Sequence, residues 1–376
     1  YLIGDEKTRS RIELMTSAAL YTYRHSFLSK ESTDMLYGDS LQGTVSKLEL
    51  FAECPYRYFA SYGLGLKELE PFAFRAVDIG NIAHSALEKI FSQAQKLKID
   101  LYTVTEEARK ALVHRCIEQA IMDDEPAKYN DTAHNAYMVK RVERVVNRSL
   151  WGLLSEQDNG FRPYELEWCF GGRDRLKAAE FDLGDGKHML LSGKIDRTDI
   201  RNNENDIDVR VIDYKSGSKT WNLGDVINGR ELQITLYMAA VKELLEGRFT
   251  GSNIVPQEML YYTLQDPLVD SDDLEKMTVD EALLKQMKPA GVSSRDEIEK
   301  LIPYVREKAR GMGKSITDGN IRIEPSYKDP KHNGCTYCKY KSVCGFDRKI
   351  DGFGFKQDKK INKEEAWQII TGQMNN

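Results

Sequence analysis

An aspartate and a lysine at the end of an apolar stretch are the residues of this sequence best suited to chemistry. Residues 209–217 read Val-Arg-Val-Ile-Asp-Tyr-Lys-Ser-Gly, which predicts a short buried strand followed by a turn. Asp213 and Lys215 are two positions apart, so their side chains share one face of that strand. The carboxylate could hold a divalent cation, and the ammonium could steady a nucleophile or a charge developing on phosphorus. Taken alone, a structural ion pair is the commoner explanation.

Other polar residues occur before and after this pair, in an order that favours the chemical interpretation. His84 lies in a predicted helix, Glu167 in a predicted strand, and Asp196 in a Gly-Lys-Ile-Asp-Arg run. Gln233 and Tyr237 follow at the i, i+4 spacing that places two side chains on one helical face. Two or three carboxylates that converge from adjacent strands would supply the hard oxygen ligands that Mg²⁺ and Mn²⁺ prefer.

This arrangement resembles the PD-(D/E)XK nucleases, in particular the branch shared by bacterial recombination nucleases and CRISPR adaptation exonucleases. In that family the histidine, the Gly-x-Ile-Asp-Arg aspartate, the Asp-Tyr-Lys run and the Gln-x-x-x-Tyr helix form the active site. The resemblance implies these catalytic-site residues: His84, Glu167, Asp196, Asp213, Lys215, Gln233 and Tyr237. It implies Asp196, Asp213 and His84 as ligands of Mg²⁺ (or Mn²⁺), with Glu167 as a further site group. Lys215 would be the catalytic lysine, and the Gln-x-x-x-Tyr pair would position the strand or brace the site.

Four of the six cysteines have the spacing of a metal site. Cys335, Cys338 and Cys344 form a Cys-x₂-Cys-x₅-Cys run, and Cys54 lies far upstream. In a protein that is not secreted, such groups more often bind metal than form disulfides. Four thiolates suit either Zn²⁺ or an iron–sulfur cluster. Zinc ribbons usually use two Cys-x₂-Cys pairs, whereas this one-plus-three division suits the larger cubane cluster.

The division of the cysteines also matches the iron–sulfur nucleases, and most closely the C-terminal part of the B subunit of AddAB-type helicase–nucleases. The similarity extends from about residue 44 to residue 347, with no departure at a site position. It implies a [4Fe–4S] cluster held by Cys54, Cys335, Cys338 and Cys344. It also implies DNA as substrate (a single strand or a duplex end) and the A subunit of a helicase–nuclease as partner.

The function implied by the resemblance is that of a Mg²⁺-dependent DNA exonuclease domain, which processes double-strand ends for recombinational repair. The alternative is a non-catalytic DNA-binding or scaffold module that retains the nuclease fold and a Cys₄ metal staple. The intact Asp-x-Lys pair and the upstream aspartate argue against that alternative, because a scaffold has no need of those charges. No ATPase motor is recognisable. Gly313-Lys314-Ser315 resembles the end of a P-loop, but Lys308 occupies the position of the required glycine.

The helices and strands predicted around these residues indicate an α/β fold with a small mixed sheet flanked by helices. The resemblance implies a PD-(D/E)XK, restriction-endonuclease-like core with a helical iron–sulfur staple. Periodicity and turn signals predict strands at about 163–170, 180–183, 188–200, 209–215 and 253–263. They predict helices at about 5–30, 47–62 (capped by Ser46), 77–97, 105–122, 132–154, 229–245, 279–287 and 294–311.

Two segments are expected in the chain. Residues 1–40 would be the helical tail of a preceding domain or an N-terminal packing helix. Residues 41–376 would form the iron–sulfur nuclease domain, with its core at about 77–265 and its cluster ligands at 54 and 335–344.

Composition excludes some classes of protein. The 376 residues are 41% hydrophobic and 30% charged, as in ordinary globular proteins. No apolar run approaches a membrane span and no signal peptide is visible, so we expect a cytoplasmic protein with no membrane partner. The net charge is −5, yet residues 322–363 contain eleven Lys or Arg against five Asp or Glu. That basic segment suits a polyanionic partner, and it equally suits a solvated lysine-rich surface.

Overall fold

The structure, a computed structural model, describes residues 6–24, 26–68, 76–123, 132–155, 159–171, 179–217, 220–268 and 277–372. The first five residues of the 1–40 segment therefore lie outside the described part. The first helices are α1 (Glu6–Ala19), α2 (Lys30–Tyr37), α3 (Val45–Glu53), α4 (Pro55–Tyr58), α5 (Ala76–Leu97), α6 (Glu106–Asp123) and α7 (Ala133–Ser155). The later helices are α8 (Leu223–Ile227), α9 (Gln233–Arg248), α10 (Val279–Gln286), α11 (Arg295–Thr317), α12 (Lys341–Cys344) and α13 (Lys363–Ile370). The strands are β1 (Ser40–Thr44), β2 (Arg162–Phe170), β3 (Glu180–Gly184), β4 (Lys187–Asn203), β5 (Asp206–Lys215), β6 (Asn253–Thr263), β7 (Ala290–Val292), β8 (Ser326–Tyr327) and β9 (Lys356–Gln357).

The long strand β4 organises a mixed sheet of seven strands. Its first half pairs with β1 in parallel and with β3 antiparallel. Its second half pairs antiparallel with β2 and β5. Beyond β5, the strand β6 is parallel and β7 antiparallel to its neighbour. The expected mixed α/β architecture with flanking helices is thus confirmed.

Two apolar cores cover the two faces of this sheet. Because side chains alternate along a strand, Val209 and Val211 of β5 face one core, which also contains residues of α9 and α11. Ile212 and Tyr214 face the other core, formed with α5, α6 and α7. β5 is thus buried on both faces, and its charged residues Asp208, Arg210 and Asp213 are buried with the apolar ones.

A buried charge cluster joins β4 to β5 on the α5 side. The carboxylate of Asp199 accepts hydrogen bonds from Nε of Arg197 at 2.6 Å and from Nη2 of Arg210 at 2.6 Å. The Arg197 guanidinium lies 4.4 Å from the centroid of the Phe91 ring. Burial alone would raise the pKa of Asp199, but the two guanidinium groups outweigh it and the pKa is lowered. Removing one member would leave a buried charge without its partner, so this cluster ties the two strands together.

The N-terminal helices end and begin at other residues than the sequence predicted. The helix expected to reach Lys30 ends at Ala19. Ser46 does not cap the next helix, since α3 already begins at Val45. The predicted 47–62 helix is divided at Pro55, which starts α4, and a π-helical turn follows at residues 59–63. A proline lacks an N–H group, so it is well suited to the first position of a new helix.

The helix predicted from Gly229 begins four residues later, at Gln233. Gly229 has φ of +79°, in the left-handed region that helices do not use, and it closes the loop after α8. The Gly-Lys-Ser segment that resembles a P-loop lies within α11, where Nζ of Lys314 donates to Asp318 at 3.1 Å.

The N-terminal segment packs on the C-terminal segment. The backbone N–H of Tyr23 donates to the carbonyl of Asp351 at 2.8 Å, and its ring stacks on Phe353 with centroids 4.2 Å apart. The short strands β8 and β9 pair beside this contact. The helix α1 itself contributes no buried residue. In the part of the chain that is described, no helix is long and apolar enough to cross a bilayer.

Candidate active site

Side chains from α5, β2 and β4 converge beside the end of β5. Nδ1 of His84 lies 3.4 Å from Oδ2 of Asp196. One ligand atom from each of His84, Glu167 and Asp196 lies within 4.8 Å of the others. Asp196 is 8% exposed, and the other two residues are half-buried. An imidazole and two carboxylates at this spacing are a donor set that can hold Mg²⁺ or Mn²⁺.

A close contact between α5 and the end of β5 brings His84 to the site. A Cβ atom on Gly80 would lie 2.8 Å from Cβ of Ser216, so only glycine allows this approach. His84 follows one helical turn later and packs edge-on to Tyr214, with ring centroids 5.7 Å apart. The backbone N–H of Tyr214 donates to Oδ2 of Asp196 at 2.7 Å and fixes that carboxylate.

Glu167 reaches the site from an irregular position in β2. Its φ is +49°, in the left-handed region that non-glycine residues seldom adopt, and strain of this kind is often found at functional sites. The carboxylate forms an ion pair with the ammonium of Lys194. Burial raises the pKa of Glu167, the Lys194 charge opposes that rise, and the Asp196 charge adds to it.

Asp213 and Lys215 face the same way, as predicted, and they form an ion pair. The side-chain amide of Gln233 joins them. Its Nε2 donates to Oδ1 of Asp213 at 3.0 Å, and its Oε1 accepts from Nζ of Lys215 at 3.0 Å. Nε2 also lies 3.1 Å from the hydroxyl of Tyr237. The Gln-x-x-x-Tyr face of α9 therefore holds both members of the pair.

The three donors that lie close together differ in one member from the metal ligands expected from the sequence. The expected ligands were Asp196, Asp213 and His84, whereas the three mutually close donors are His84, Glu167 and Asp196. The Asp213 carboxylate lies next to this group, and it is engaged by Lys215.

The site as a whole carries an excess of negative charge. Burial raises the pKa of Asp213; Lys215 opposes this rise, and the neighbouring Asp196 adds to it. For His84, burial would lower the pKa, but the hydrogen bond to Asp196 and the charges of Asp213 and Glu167 outweigh burial and raise it. Burial and the neighbouring Asp196 both favour the protonated form of Asp213, and a bound divalent cation would favour the ionised form.

Glu49, which the sequence analysis did not single out, fixes the first turn of α9. Its Oε1 accepts from the backbone N–H groups of Leu232 at 2.8 Å and Gln233 at 3.1 Å. The N-cap residue Leu232 has no side-chain oxygen, so α3 supplies the acceptor that a local cap normally provides. Because Gln233 is the first residue of α9, Glu49 positions the amide that holds Asp213. No local pattern could have revealed a contact across 183 positions.

The four predicted cluster ligands line a common cavity of 270 Å³ between α4 and the C-terminal segment. They are Cys54, Cys335, Cys338 and Cys344. None of the six cysteines forms a disulfide. Burial raises the pKa of Cys54 and of Cys335 to about 11 each, so a metal would have to displace their protons. Arg57 and Lys341 also line the cavity and could offset the charge of bound thiolates.

The spacing of these thiols suits a large group. Among the described residues, no three of the four sulfur atoms lie within 4.8 Å of one another. Tetrahedral zinc, with Zn–S bonds of about 2.3 Å, requires sulfur atoms about 3.8 Å apart. The four thiols line a cavity of 270 Å³, which has room for a group larger than a single ion.

The class of protein now follows. Residues 42–345 match the family model of the PD-(D/E)XK nuclease superfamily, and this chain belongs to that superfamily. The matched range contains all seven candidate catalytic residues and the four clustered thiols.

Several curated relatives are similar over nearly the whole chain, and each is named as the B subunit of an ATP-dependent helicase/deoxyribonuclease. That of Lachnoclostridium phytofermentans is 29% identical, over 98% of this chain and 35% of the relative. That of Clostridium acetobutylicum is 27% identical, over 100% of this chain and 36% of the relative. That of Alkaliphilus metalliredigens is 28% identical, over 96% of this chain and 35% of the relative. The chain thus spans about a third of the length of these relatives, and the resemblance expected from the sequence is confirmed.

Proposed function

We propose that this chain is a DNA nuclease domain dependent on Mg²⁺ or Mn²⁺, belonging to the B subunit of a bacterial helicase–nuclease. Membership of the superfamily and the names of the relatives support the proposal. The observation that carries it is the convergence of His84, Glu167 and Asp196 beside the Asp213–Lys215 pair.

In this proposal the acidic groups hold the cation and the lysine faces the reacting phosphate. His84, Glu167 and Asp196 would bind the cation, with Asp213 at its edge. When bound, the cation would polarise the phosphoryl group and lower the pKa of the attacking water. Glu167 would exchange its Lys194 partner for the cation.

Lys215 would stabilise the charge that builds on the phosphoryl oxygens as water attacks and the bond to the leaving oxygen breaks. Its ammonium is held by Asp213 and by Gln233 before the substrate arrives, so little reorganisation is needed at the moment of reaction. Tyr237 packs edge-on to Phe170, with ring centroids 5.7 Å apart, and would keep Gln233 in place.

The finer assignment concerns the biological role. We propose an exonuclease that processes double-strand DNA ends for recombinational repair in the cytoplasm, with an A subunit as partner. Residues 41–376 would form the nuclease domain, and residues 1–40 would lead into it. A [4Fe–4S] cluster on Cys54, Cys335, Cys338 and Cys344 would clasp its two ends.

The test is a nuclease assay on end-labelled single strands and duplex ends, with Mg²⁺ or with EDTA. We expect cleavage only with the cation. Asp213→Ala should lower the rate by about 100-fold or more, because it removes the partner of the lysine and an acid beside the cation. Its far-ultraviolet circular dichroism should match that of the wild type.

The matched control is Glu118→Gln, which changes an exposed acid on α6. It should cleave at the wild-type rate. A folded Asp213→Ala that cleaves as fast as the control would show that the site is assigned to the wrong residues. A wild type that binds DNA but never cleaves it, with either cation, would support the scaffold alternative.

A further inference from the structure

A second cavity, of 570 Å³, lies between α3, α11 and the C-terminal segment. None of the seven candidate catalytic residues lines it. Three lysines do line it: Lys308 from α11, and Lys356 and Lys359 from the C-terminal segment. Asn228, in the loop that leads to Gln233, forms part of the same wall and accepts a hydrogen bond from the backbone N–H of Lys359 at 3.3 Å.

Lys308 is half-buried. In the described ranges no carboxylate pairs with it; its Nζ lies 5.9 Å from the centroid of the Tyr304 ring. The two acids that line the cavity are each paired with an arginine: Glu307 with Arg310, and Glu324 with Arg322, which also lines the cavity. Burial lowers the pKa of Lys308 to about 8, and the charges of the other two lysines contribute to that lowering. A partly buried ammonium with this environment is unfavourable unless an anion joins it.

We propose that this cavity binds a backbone phosphate of the DNA strand at a place separate from the catalytic carboxylates. The proposal rests on the proposed nuclease function. A phosphate supplies the missing negative charge and several acceptor oxygens for the three ammonium groups. Lys356 and Lys359 are exposed at the rim, so the positive charge continues outward instead of enclosing one small ion. It extends into the basic segment 322–363, and an extended polyanion matches that distribution better than free phosphate does.

The experiment measures binding of a fluorescent single strand to the full 376-residue chain in EDTA, by anisotropy at several salt concentrations. Lys308→Gln should weaken binding about fivefold, the effect of one ionic contact at a partly exposed site. The slope of log affinity against log salt should become shallower by about 0.7, the value for one phosphate contact on a single strand. The double variant Lys356→Gln/Lys359→Gln, on the exposed rim, should act in the same direction with no risk to the core.

The matched control is Lys300→Gln, which removes an exposed lysine from the same helix and should change neither quantity. A second readout is acetylation of Lys308, measured by mass spectrometry. The bound DNA strand should protect Lys308 from acetylation, whereas inorganic phosphate and thymidine monophosphate at the same phosphate concentration should not.

The outcomes separate the two proposals. Wild-type affinity and slope in both lysine variants would overturn the phosphate site and leave the nuclease function standing. Equal protection by inorganic phosphate would also overturn it, in favour of a site for free anions. A wild type that neither binds nor cleaves DNA would overturn both.

Discussion

At the scale of single residues, one amide organises the candidate site. Gln233 contacts Asp213, Lys215 and Tyr237 through its two side-chain atoms. In the proposed mechanism Asp213 and Lys215 have separable roles: the acid would belong to the group that holds the cation, and the lysine would face the substrate.

That separation predicts different metal binding in two variants. Asp196→Asn should weaken Mn²⁺ binding by about 10-fold or more, because it removes the negative charge of a carboxylate at the centre of the site. Lys215→Ala should abolish cleavage while retaining most of the Mn²⁺ affinity. Calorimetric titration at about pH 8, above the range in which Asp213 takes up a proton, measures both. Equal loss of Mn²⁺ affinity in the two variants would contradict the distinction.

The pH dependence of that binding has a definite sign. The pKa of Asp213 is raised in the metal-free protein, so as pH falls its carboxyl takes up a proton that competes with the cation. Mn²⁺ affinity should therefore be constant at higher pH and fall as pH drops through the raised pKa. Lys215→Ala removes a charge that lowers this pKa, so its affinity should begin to fall at a higher pH. Titrations between about pH 5 and 8 test this, and coincident pH profiles would contradict it.

The placement of some of these side chains could be predicted and that of others could not, for physical reasons. Asp213 and Lys215 share a face because a regular strand alternates, and that rule is visible in the sequence. Glu167 was named as a site residue, but its place among the three mutually close donors could not be predicted, since its left-handed backbone interrupts the alternation of β2. Its pairing with Lys194 depends on the register of β2 against β4, which no local pattern reveals.

At the scale of elements, the start of α9 connects the site to the rest of the fold. Glu49 on α3 accepts two hydrogen bonds from the first turn of α9, and Cys54 immediately follows α3. The cysteine cavity and the Gln233 amide are thus both attached to one short helix, α3.

Glu49→Ala should lower kcat about tenfold with little change in KM, since it loosens Gln233 without touching substrate. It should also lower the free energy of unfolding by about 1 kcal/mol, the usual effect of losing a cap. Glu49→Gln keeps an acceptor oxygen and should recover most of kcat. Steady-state kinetics and thermal unfolding measure these effects.

Glu281→Ala provides the control, because Glu281 completes a capping box at the start of α10, away from the site. It should lose similar stability and keep kcat. If both alanine variants lost kcat equally, the effect of Glu49 would be one of general stability.

The difference between a cap from another element, as at α9, and a local cap, as at α10, explains why some helix boundaries could be predicted. Helices α10 and α11 begin next to Thr278 and Ser294, whose side chains cap them locally, and the predicted starts lie within one residue of the observed ones. The start of α9 was misplaced by four residues because its cap comes from another element. A sequence pattern can reveal a capping residue next to its helix, but it cannot reveal one that comes from another element.

At the scale of the whole molecule, the cysteine cavity joins the two ends of the chain. Cys54 and Cys335 are 281 positions apart, and closing a loop of that length contributes on the order of 5 kcal/mol. A group bound there would therefore hold the C-terminal segment against the nuclease core.

Purification without oxygen should yield brown protein with iron and acid-labile sulfide in near-equal amounts. Cys54→Ser and Cys338→Ser should each bleach it and admit new protease cuts after about Arg322, because the clasp is lost. Cys169→Ser, which changes an exposed cysteine outside the cavity, should remain brown and resistant. Colourless protein with one zinc per chain would contradict the iron–sulfur assignment and leave the nuclease proposal standing.

The parallel pairing of β1 with β4 has a consequence for biosynthesis. Ser40 pairs with His188, 148 positions later. At about 5–20 residues per second, β1 leaves the ribosome roughly 7 to 30 s before its partner strand has been made. During that time β1 is an unpaired strand with an open edge, a state that invites association with other chains. The edge of β1 is covered only once β4 has been translated and the two strands have paired.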